Sequence, residues 1–135
     1  MIYPDNFENK IQFNEIRSLL KGYCLSQLGK DKVDDMAFTS DAERINTALS
    51  QTREFRRMQE EADDFPLQFF FDMRASIKRI RIEGTHLEEN EIFDLRRSLE
   101  TISGIVKFLN RSDDDGNYDY PTLHALTEDV LTFPD

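Results

Sequence analysis

Ile92 to Leu109, IFDLRRSLETISGIVKFL, is the stretch that decides the fold. Its apolar side chains recur at alternating steps of three and four residues, the spacing that lines one face of an α-helix. The members of this stripe are Ile92, Leu95, Leu99, Ile102, Val106 and Leu109. Such a stripe is typical of a helix packed lengthwise in a bundle or in a coiled coil. The bundle is favoured, because coils shorter than three heptads are marginally stable.

Similar patterns predict helices on the N-terminal side of this stretch. Residues 13–28 form an amphipathic segment that Gly29 would end, since glycine adopts helix-breaking conformations at little cost. Ser40 and Glu43 fit a capping box, which predicts a long helix running to about residue 62. A charged loop with Pro66 would follow that helix.

The rest of the chain also reads as helical. Phe70, Met73, Ile77 and Ile80 form a further stripe, and Thr85 with Glu88 fits a second capping box that would introduce the Ile92 helix. Pro121 suits the first turn of a short last helix. The predicted fold is therefore all-α, an antiparallel bundle of about five to six helices in a single domain covering residues 1–135.

Composition limits the classes of function. The 135 residues suffice for one core, and a net charge of −10 argues against tight wrapping of nucleic acid, which requires Lys and Arg. Neither an apolar run long enough for a membrane nor a secretory leader is recognisable, which predicts a cytoplasmic protein without membrane contact. The one cysteine, Cys24, lies on the apolar face of the first helix and is expected to be a buried, reduced thiol.

Three segments together resemble the core domain of MutS proteins. In the first, Ser26, Gly29 and Lys30 follow the apolar helix, as a small hydroxyl residue, a glycine and a basic residue do in that family. The second is residues 38–45, FTSDAERI, and the third is residues 71–80, FDMRASIKRI. Order and approximate spacing agree, although Ser26 replaces the commoner Thr and Phe71-Asp72 replaces Pro-Asp.

The resemblance implies a particular branch of the family. Because the first match begins at Phe13, nothing ahead of it could read mismatches, as in the second bacterial MutS subfamily, whose members usually end in an Smr-type nuclease. The implied role is an N-terminal core segment of a longer DNA-processing ATPase, a homodimer that acts on DNA or ribosomes. Its partners would be the clamp and ATPase domains of the same chain, and ATP with Mg²⁺ would be cofactors of that longer protein. Residues 133–135 follow without a helix-ending signal, which also suggests a piece of a longer protein.

The sequence predicts no catalytic, cofactor or metal site within these residues. The acidic loop 113–119 lacks the glycine and the final glutamate of a calcium-binding EF-hand, and His86 and His124 do not have zinc-ligand spacing. No glycine-rich phosphate loop is present, and the paired carboxylates lie in polar runs where no pocket would shift their pKa. The segment is therefore expected not to be an enzyme.

One basic group is a candidate contact for a phosphate or for an acidic partner surface. Arg74, Lys78 and Arg81 would share one helix face, with Arg79 beside them and Arg96 and Arg97 on the next helix. The alternative is that these cations pair with neighbouring acids, of which the chain holds 27.

A different class of function also fits the residues. The chain could be a free-standing helical module that binds a partner helix, or dimerises, through the Ile92 to Leu109 stripe. The reading frame beyond Asp135 separates the two hypotheses, since continuation into a phosphate loop supports the first and a stop codon supports the second.

Overall fold

The computed structural model describes residues 6–132, so the predicted tail at 133–135 lies outside the described residues. The chain divides into two compact units, one ending at Phe38 and one beginning at Thr39. The first unit holds α1 (Phe7–Lys10), α2 (Phe13–Tyr23) and α3 (Gln27–Asp34). The second holds α4 (Ala42–Glu61), α5 (Arg74–Arg79), α6 (Glu89–Leu109) and α7 (Pro121–His124), which continues into a 3₁₀ turn, Ala125–Thr127.

The all-α prediction is confirmed. Over residues 6–132 the extended pairing consists of an isolated bridge between Ser112 and Tyr118. Seven α-helices are present within that range where five to six were expected, and three of the seven have six residues or fewer. The assignment of the whole chain to a single domain stays a prediction.

In the first unit the helix break comes earlier than predicted. The chain leaves α2 at Cys24, and the Ser26 hydroxyl caps α3 by accepting a hydrogen bond from the Gly29 N–H at 3.3 Å. Gly29 therefore lies inside α3. A Cβ there would approach the Cys24 Cβ to 3.3 Å, so the glycine permits close packing and does not end a helix. Cys24 itself is half-buried, where a buried thiol was expected.

A single arginine joins the three helices of this unit. The Arg17 guanidinium donates to both carboxylate oxygens of Glu8 in α1 at 2.8 Å and to the Val33 carbonyl in α3 at 2.9 Å. It also lies 4.9 Å from the centre of the Phe13 ring. The apolar stripe predicted for α2 is largely exposed, with Leu19 63% and Tyr23 82% accessible. Polar contacts therefore contribute much of what holds the three helices of this unit together.

An aromatic cluster forms the core of the second unit. Met58 of α4 is fully buried among Phe108, Leu109, Tyr120 and Leu123. Edge-to-face contacts link Phe65 to Phe108, with ring centres 5.2 Å apart, and Phe108 stacks on Tyr120 at 6.0 Å. The cluster joins α4, the C-terminal half of α6 and α7.

Both predicted capping boxes are misplaced. Asp41, not Ser40, caps α4, since its carboxylate accepts from the backbone N–H groups of Glu43 and Arg44 at 3.0 and 3.2 Å. At α6 the cap is Glu88, whose N–H donates to the Glu91 carboxylate at 2.9 Å. The Thr85 hydroxyl instead donates to backbone carbonyls of the preceding turn. Several side chains in each segment are able to cap, and the backbone path selects one.

The buried face of α6 coincides only in part with the predicted stripe, of which Leu109 is buried and Leu95, Ile102 and Val106 are half-buried. Its buried residues are Ser98, Thr101, Phe108 and Leu109, whereas Ile92 and Leu99 are 55% and 57% exposed. The Ser98 hydroxyl accepts from the Phe71 N–H at 3.0 Å, and the Thr101 hydroxyl donates to the Gln68 carbonyl at 2.7 Å. The irregular segment 65–71 therefore covers this face, and its backbone hydrogen bonds are completed by the two hydroxyls.

Candidate functional site

The predicted basic group does not converge on one helix face. α5 ends at Arg79, so Arg81 lies in the following turn and is not aligned with Arg74 and Lys78 as the spacing suggested. The expected stripe from Phe70 to Ile80 is helical only from residue 74 to residue 79. The residues before Arg74 are not helical, and segment 65–71 runs along α6 instead.

Two members of the basic group are held by carboxylates. Arg74 pairs with Asp72 at 2.6 Å, and Arg79 pairs with Glu91 at the start of α6. Lys78 and Arg81 are exposed, and no ion pair is found for either within residues 6–132. These two cations are therefore the members of the group whose charges stay available to a ligand.

Glu91 organises the junction between α5 and α6. Its carboxylate accepts from the Ser76 hydroxyl at 2.6 Å, from the Glu88 N–H at 2.9 Å and from Arg79. These hydrogen bonds, that of Ser76 first, lower the pKa of Glu91 to about 2. Arg79 is thus committed to an internal contact and is a poor candidate for phosphate binding.

The neighbouring arginines of α6 differ from each other. Arg96 pairs with Glu100 at 2.8 Å on the exposed side of the helix. Arg97 lies between two phenyl rings, 4.2 Å from the centre of Phe93 and 4.6 Å from that of Phe69. Sequence patterns do not predict this arrangement, because Phe69 is 28 positions away and is positioned by the segment that crosses α6.

A cleft of the second unit, of about 760 Å³, is polar and is held by ion pairs. Its lining includes Arg57, which donates to the Asp119 carbonyl, and Arg111, together with Tyr120 and Asp64. Arg111 forms a forked contact to Asp64, which lowers the pKa of that carboxyl, and burial raises the pKa of Tyr120. Because its guanidinium groups already have acceptors, the cleft is built to join the chain segments around it.

Sequence reasoning missed Glu54, which connects α4 to α7. Its two carboxylate oxygens accept from the backbone N–H groups of Thr122 and Leu123 at 3.0 and 2.9 Å. A carboxylate at a helix start satisfies N–H groups that have no partner within the helix, and it interacts favourably with the helix dipole. Glu54 therefore fixes the last helix against the aromatic core.

The acidic loop 113–119 is a hydrogen-bonded turn. The Asp113 carboxylate accepts from the N–H groups of Asp115 and Asn117 at 3.0 and 2.8 Å, and the bonds from Asn117 are the main reason that its pKa is lowered. Gly116 has a φ of +81°, which the turn requires. Across residues 6–132 no three His, Cys, Asp or Glu side chains cluster closely enough to hold a metal ion.

The residues around Lys30 do not fit the nucleotide implied for a longer relative. Gly29 is the glycine that precedes a lysine here, and its N–H is engaged by the Ser26 hydroxyl inside α3. A phosphate cradle needs several consecutive free N–H groups in a glycine-rich loop.

None of the helices between residues 6 and 132 is long and apolar enough to cross a membrane.

Comparison with known proteins finds relatives named Endonuclease MutS2. The protein named Endonuclease MutS2 from Levilactobacillus brevis is 26% identical over 125 residues, which is 93% of this chain and 16% of that protein. Endonuclease MutS2 from Bacillus cereus strain ATCC 10987 shows the same identity and coverage. The chain is similar to a MutS2-type segment. The resemblance to the second bacterial MutS branch is therefore confirmed.

A third relative also matches this chain over only a small part of its own length. Endonuclease MutS2 from Alkaliphilus oremlandii is 25% identical over 120 residues, or 89% of this chain and 15% of that protein. The chain thus spans about one sixth of the length of the curated MutS2 relatives it matches. No protein-family profile matches the chain, and no solved structure does.

Proposed function

We propose that this chain is a non-catalytic structural core segment of a MutS2-type DNA-processing ATPase. The observation that carries the proposal is the similarity of 93% of the chain to segments of proteins named Endonuclease MutS2. The longer protein would bind ATP and Mg²⁺, act as a homodimer on DNA or ribosomes, and contribute the clamp and ATPase domains as partners of this segment. Its nuclease activity would belong to other domains.

The contacts of the second unit support a mechanical role. A segment that passes nucleotide-driven motion to a distant clamp must keep its helices in fixed relation, since coupling requires elements with defined arrangements. Here the aromatic cluster joins α4, α6 and α7, while Glu54 and the Ser98 and Thr101 hydroxyls add directional hydrogen bonds. Such contacts resist sliding of one helix over another.

The charges support a limited role in binding nucleic acid. With a net charge of −10, the segment repels a polyanion overall. Lys78 and Arg81 are the members of the basic group without an internal ion pair in the described part of the chain, so they are the proposed contact to a phosphate or an acidic partner surface.

A chimera tests the proposal. In the Endonuclease MutS2 of Levilactobacillus brevis, the matched segment is replaced by this chain, and ATP hydrolysis is measured with and without DNA. We expect the chimera to retain DNA-dependent hydrolysis, and we expect the additional change Met58→Asp, which buries a charge in the core, to abolish that dependence. A chimera that folds but hydrolyses ATP without any response to DNA would contradict the proposal.

The isolated chain provides the second arm. We expect it to show no ATP hydrolysis and only weak binding to duplex DNA, reduced further by Lys78→Glu and Arg81→Glu and unaffected by Arg96→Glu. Submicromolar, salt-sensitive binding to DNA by these 135 residues would overturn the structural assignment.

A free-standing interaction module is the second candidate, and one observation favours it. Ile92 and Leu99 of α6 are more than half exposed, which leaves an apolar ridge on a well-formed helix. If the ridge binds a partner helix, Leu99→Lys should abolish capture of an amphipathic helical peptide by the isolated chain. The same substitution within an otherwise active chimera should then leave ATP hydrolysis unchanged.

A further inference from the structure

The polar cleft of the second unit carries more negative than positive charge. Its volume of about 760 Å³ lies within the range of small-molecule sites. Four carboxylates and two guanidinium groups line it, so its net charge is −2. These charged side chains are Glu61, Asp63, Asp64, Asp119, Arg57 and Arg111. The cleft therefore favours a cationic ligand.

Both arginines of the cleft already have acceptors. Arg111 forms the forked contact to the Asp64 carboxylate. Arg57 lies 3.5 Å from the Glu61 carboxylate and donates to the backbone carbonyl of Asp119. An anionic ligand would have to displace one of these acceptors before it met a free guanidinium. The cleft is therefore poorly suited to a phosphate or a carboxylate.

The aromatic rings of the cleft are covered as well. The Arg57 guanidinium lies 4.9 Å from the centre of the Tyr120 ring, and that of Arg111 lies 4.2 Å from the centre of Phe108. The two rings also stack on each other, with centres 6.0 Å apart. A quaternary ammonium ligand is recognised through open ring faces, and these faces are already in contact. A cation that binds here must be recognised through the hydrogen bonds that it donates.

Three acceptors in the cleft have no partner. The carboxylates of Asp63 and Asp119 form no ion pair within residues 6–132. Tyr120 is only 5% exposed, and its phenolic oxygen has no hydrogen-bond partner in the same range. Every fully buried side-chain oxygen of the described residues has a partner, so this oxygen must reach solvent.

The Tyr120 hydroxyl reaches solvent at the cleft. Burial raises the pKa of Tyr120, and four nearby charges also act on that pKa. All four line the cleft, and they belong to Glu61, Arg57, Asp119 and Arg111. A largely buried hydroxyl without a partner gains a hydrogen bond when a donor enters the cleft, and this gain favours binding.

We propose that this cleft binds a linear aliphatic polyamine, whose primary ammonium groups donate to the carboxylates of Asp63 and Asp119 and to the Tyr120 hydroxyl. A primary ammonium has three donors around a compact charge, which suits these free acceptors. Two ammonium groups neutralise the net charge of −2, and the methylene chain between them can lie against Ala62 in the cleft wall. The proposal is independent of the proposed function.

A metal ion fits the cleft less well. Across residues 6–132, no three His, Cys, Asp or Glu side chains come close enough together to hold one. Mg²⁺ and Ca²⁺ require several oxygen ligands that converge on one point. A polyamine distributes its charge along a chain, so it can meet carboxylates that do not converge.

Titration of the 135-residue chain with putrescine, followed in amide NMR spectra, tests the proposal. We expect saturable shifts centred on residues 61–64 and 118–121, with a dissociation constant on the order of 1 mM at an ionic strength of about 50 mM. Because exposed ion pairs are screened by salt, the constant should rise about fivefold when sodium chloride brings the ionic strength to about 0.3 M.

Three substitutions remove the proposed acceptors one at a time. Asp63→Asn and Asp119→Asn keep the size of the side chain and should each raise the dissociation constant about fivefold. Tyr120→Phe removes only the hydroxyl, so the unfolding midpoint should hold while the constant rises about threefold. Asp114→Asn makes the same charge change in the acidic loop, outside the cleft, and should alter the constant by less than about twofold.

Ligand analogues test the chemistry of the contact. The bis-quaternary analogue of putrescine, with three methyl groups on each nitrogen, keeps both charges but cannot donate, and should bind at least about fivefold more weakly. An end-blocked Lys-Gly-Lys peptide offers two ammonium groups on longer, branched arms and should also bind more weakly. Tighter binding of the peptide would overturn the assignment to a polyamine.

General attraction of cations to a chain of net charge −10 is the competing explanation. It predicts shifts spread over the whole acidic surface, equal effects of Asp63→Asn and Asp114→Asn, and equal affinity for putrescine and its quaternary analogue. Any one of these results would overturn the proposal.

Discussion

The two halves of α6 carry the same apolar periodicity and have opposite surroundings. In the C-terminal half, Phe108 and Leu109 are 3% and 6% exposed within the aromatic cluster. In the N-terminal half, Ile92 and Leu99 are more than half exposed, and polar contacts of Glu91 and Ser98 hold the helix to its neighbours. The comparison teaches that a regular stripe predicts a helix reliably but does not say which part of it is covered.

The largest expected difference comes from truncating one phenylalanine in each half. Phe108→Ala should reduce the free energy of unfolding by about 3 to 5 kcal/mol, because it removes the ring that contacts both Phe65 and Tyr120. Phe93→Ala is the matched control on the same helix, and its half-exposed ring should cost less than about 1.5 kcal/mol. Urea denaturation followed by circular dichroism measures both, and equal losses would remove the distinction between the halves.

The extent of the long helices could be predicted from the sequence. The predicted end of α4 near residue 62 agrees with its observed end at Glu61, and the stripe from Ile92 to Leu109 lies within α6. Pro121 opens α7 as predicted. These features depend on local patterns of period 3.6 and on the missing N–H of proline, which act within a few residues.

The burial of Ser98 and Thr101 could not be predicted in the same way. Ser98 and Thr101 appear polar and therefore outward-facing, yet their hydroxyls are buried because they complete the backbone hydrogen bonds of segment 65–71. Gly104 likewise lies where a Cβ would approach the Pro66 ring to 3.2 Å. The partner of each residue is 27 to 38 positions away in sequence, and no local pattern carries that information.

The candidate site shows the same limit. The spacing of Arg74, Lys78 and Arg81 suggested one face, but the helix stops at Arg79 and two of the four proposed cations meet carboxylates. The many acidic residues of the sequence made internal ion pairs of these cations an alternative. They did not identify Glu91 as the acceptor. Arg97 was named only as a neighbour, and its position between two rings depends on the strained backbone at Phe69.

Removal of one hydroxyl tests the polar attachment of α6, and the expected change in stability is of intermediate size. Ser98→Ala leaves the part-buried Phe71 N–H without its acceptor and should cost about 1 to 3 kcal/mol. Ser103→Ala changes an exposed serine of the same helix and should alter stability by less than about 0.5 kcal/mol. Urea denaturation compares the two. If both variants are equally stable, segment 65–71 is held to α6 by its apolar contacts alone.

The smallest effect expected is an acid-induced loosening of the N-terminal half of α6. The pKa of Glu91 is lowered to about 2 in the folded chain, so its ionised form is favoured by folding. That stabilisation is complete above about pH 5 and is lost as the pH falls towards 2, because protonation removes the bonds from Ser76, Glu88 and Arg79. Hydrogen exchange should therefore accelerate at residues 89–95 before it does at residues 104–109.

Ser76→Ala, which deletes the largest contribution to the lowered pKa of Glu91, should raise that pKa towards its ordinary value in a carboxyl NMR titration. If acid instead releases both halves of α6 together, the helix opens as one unit, and the polar junction at Glu91 has no stability separate from that of the aromatic core.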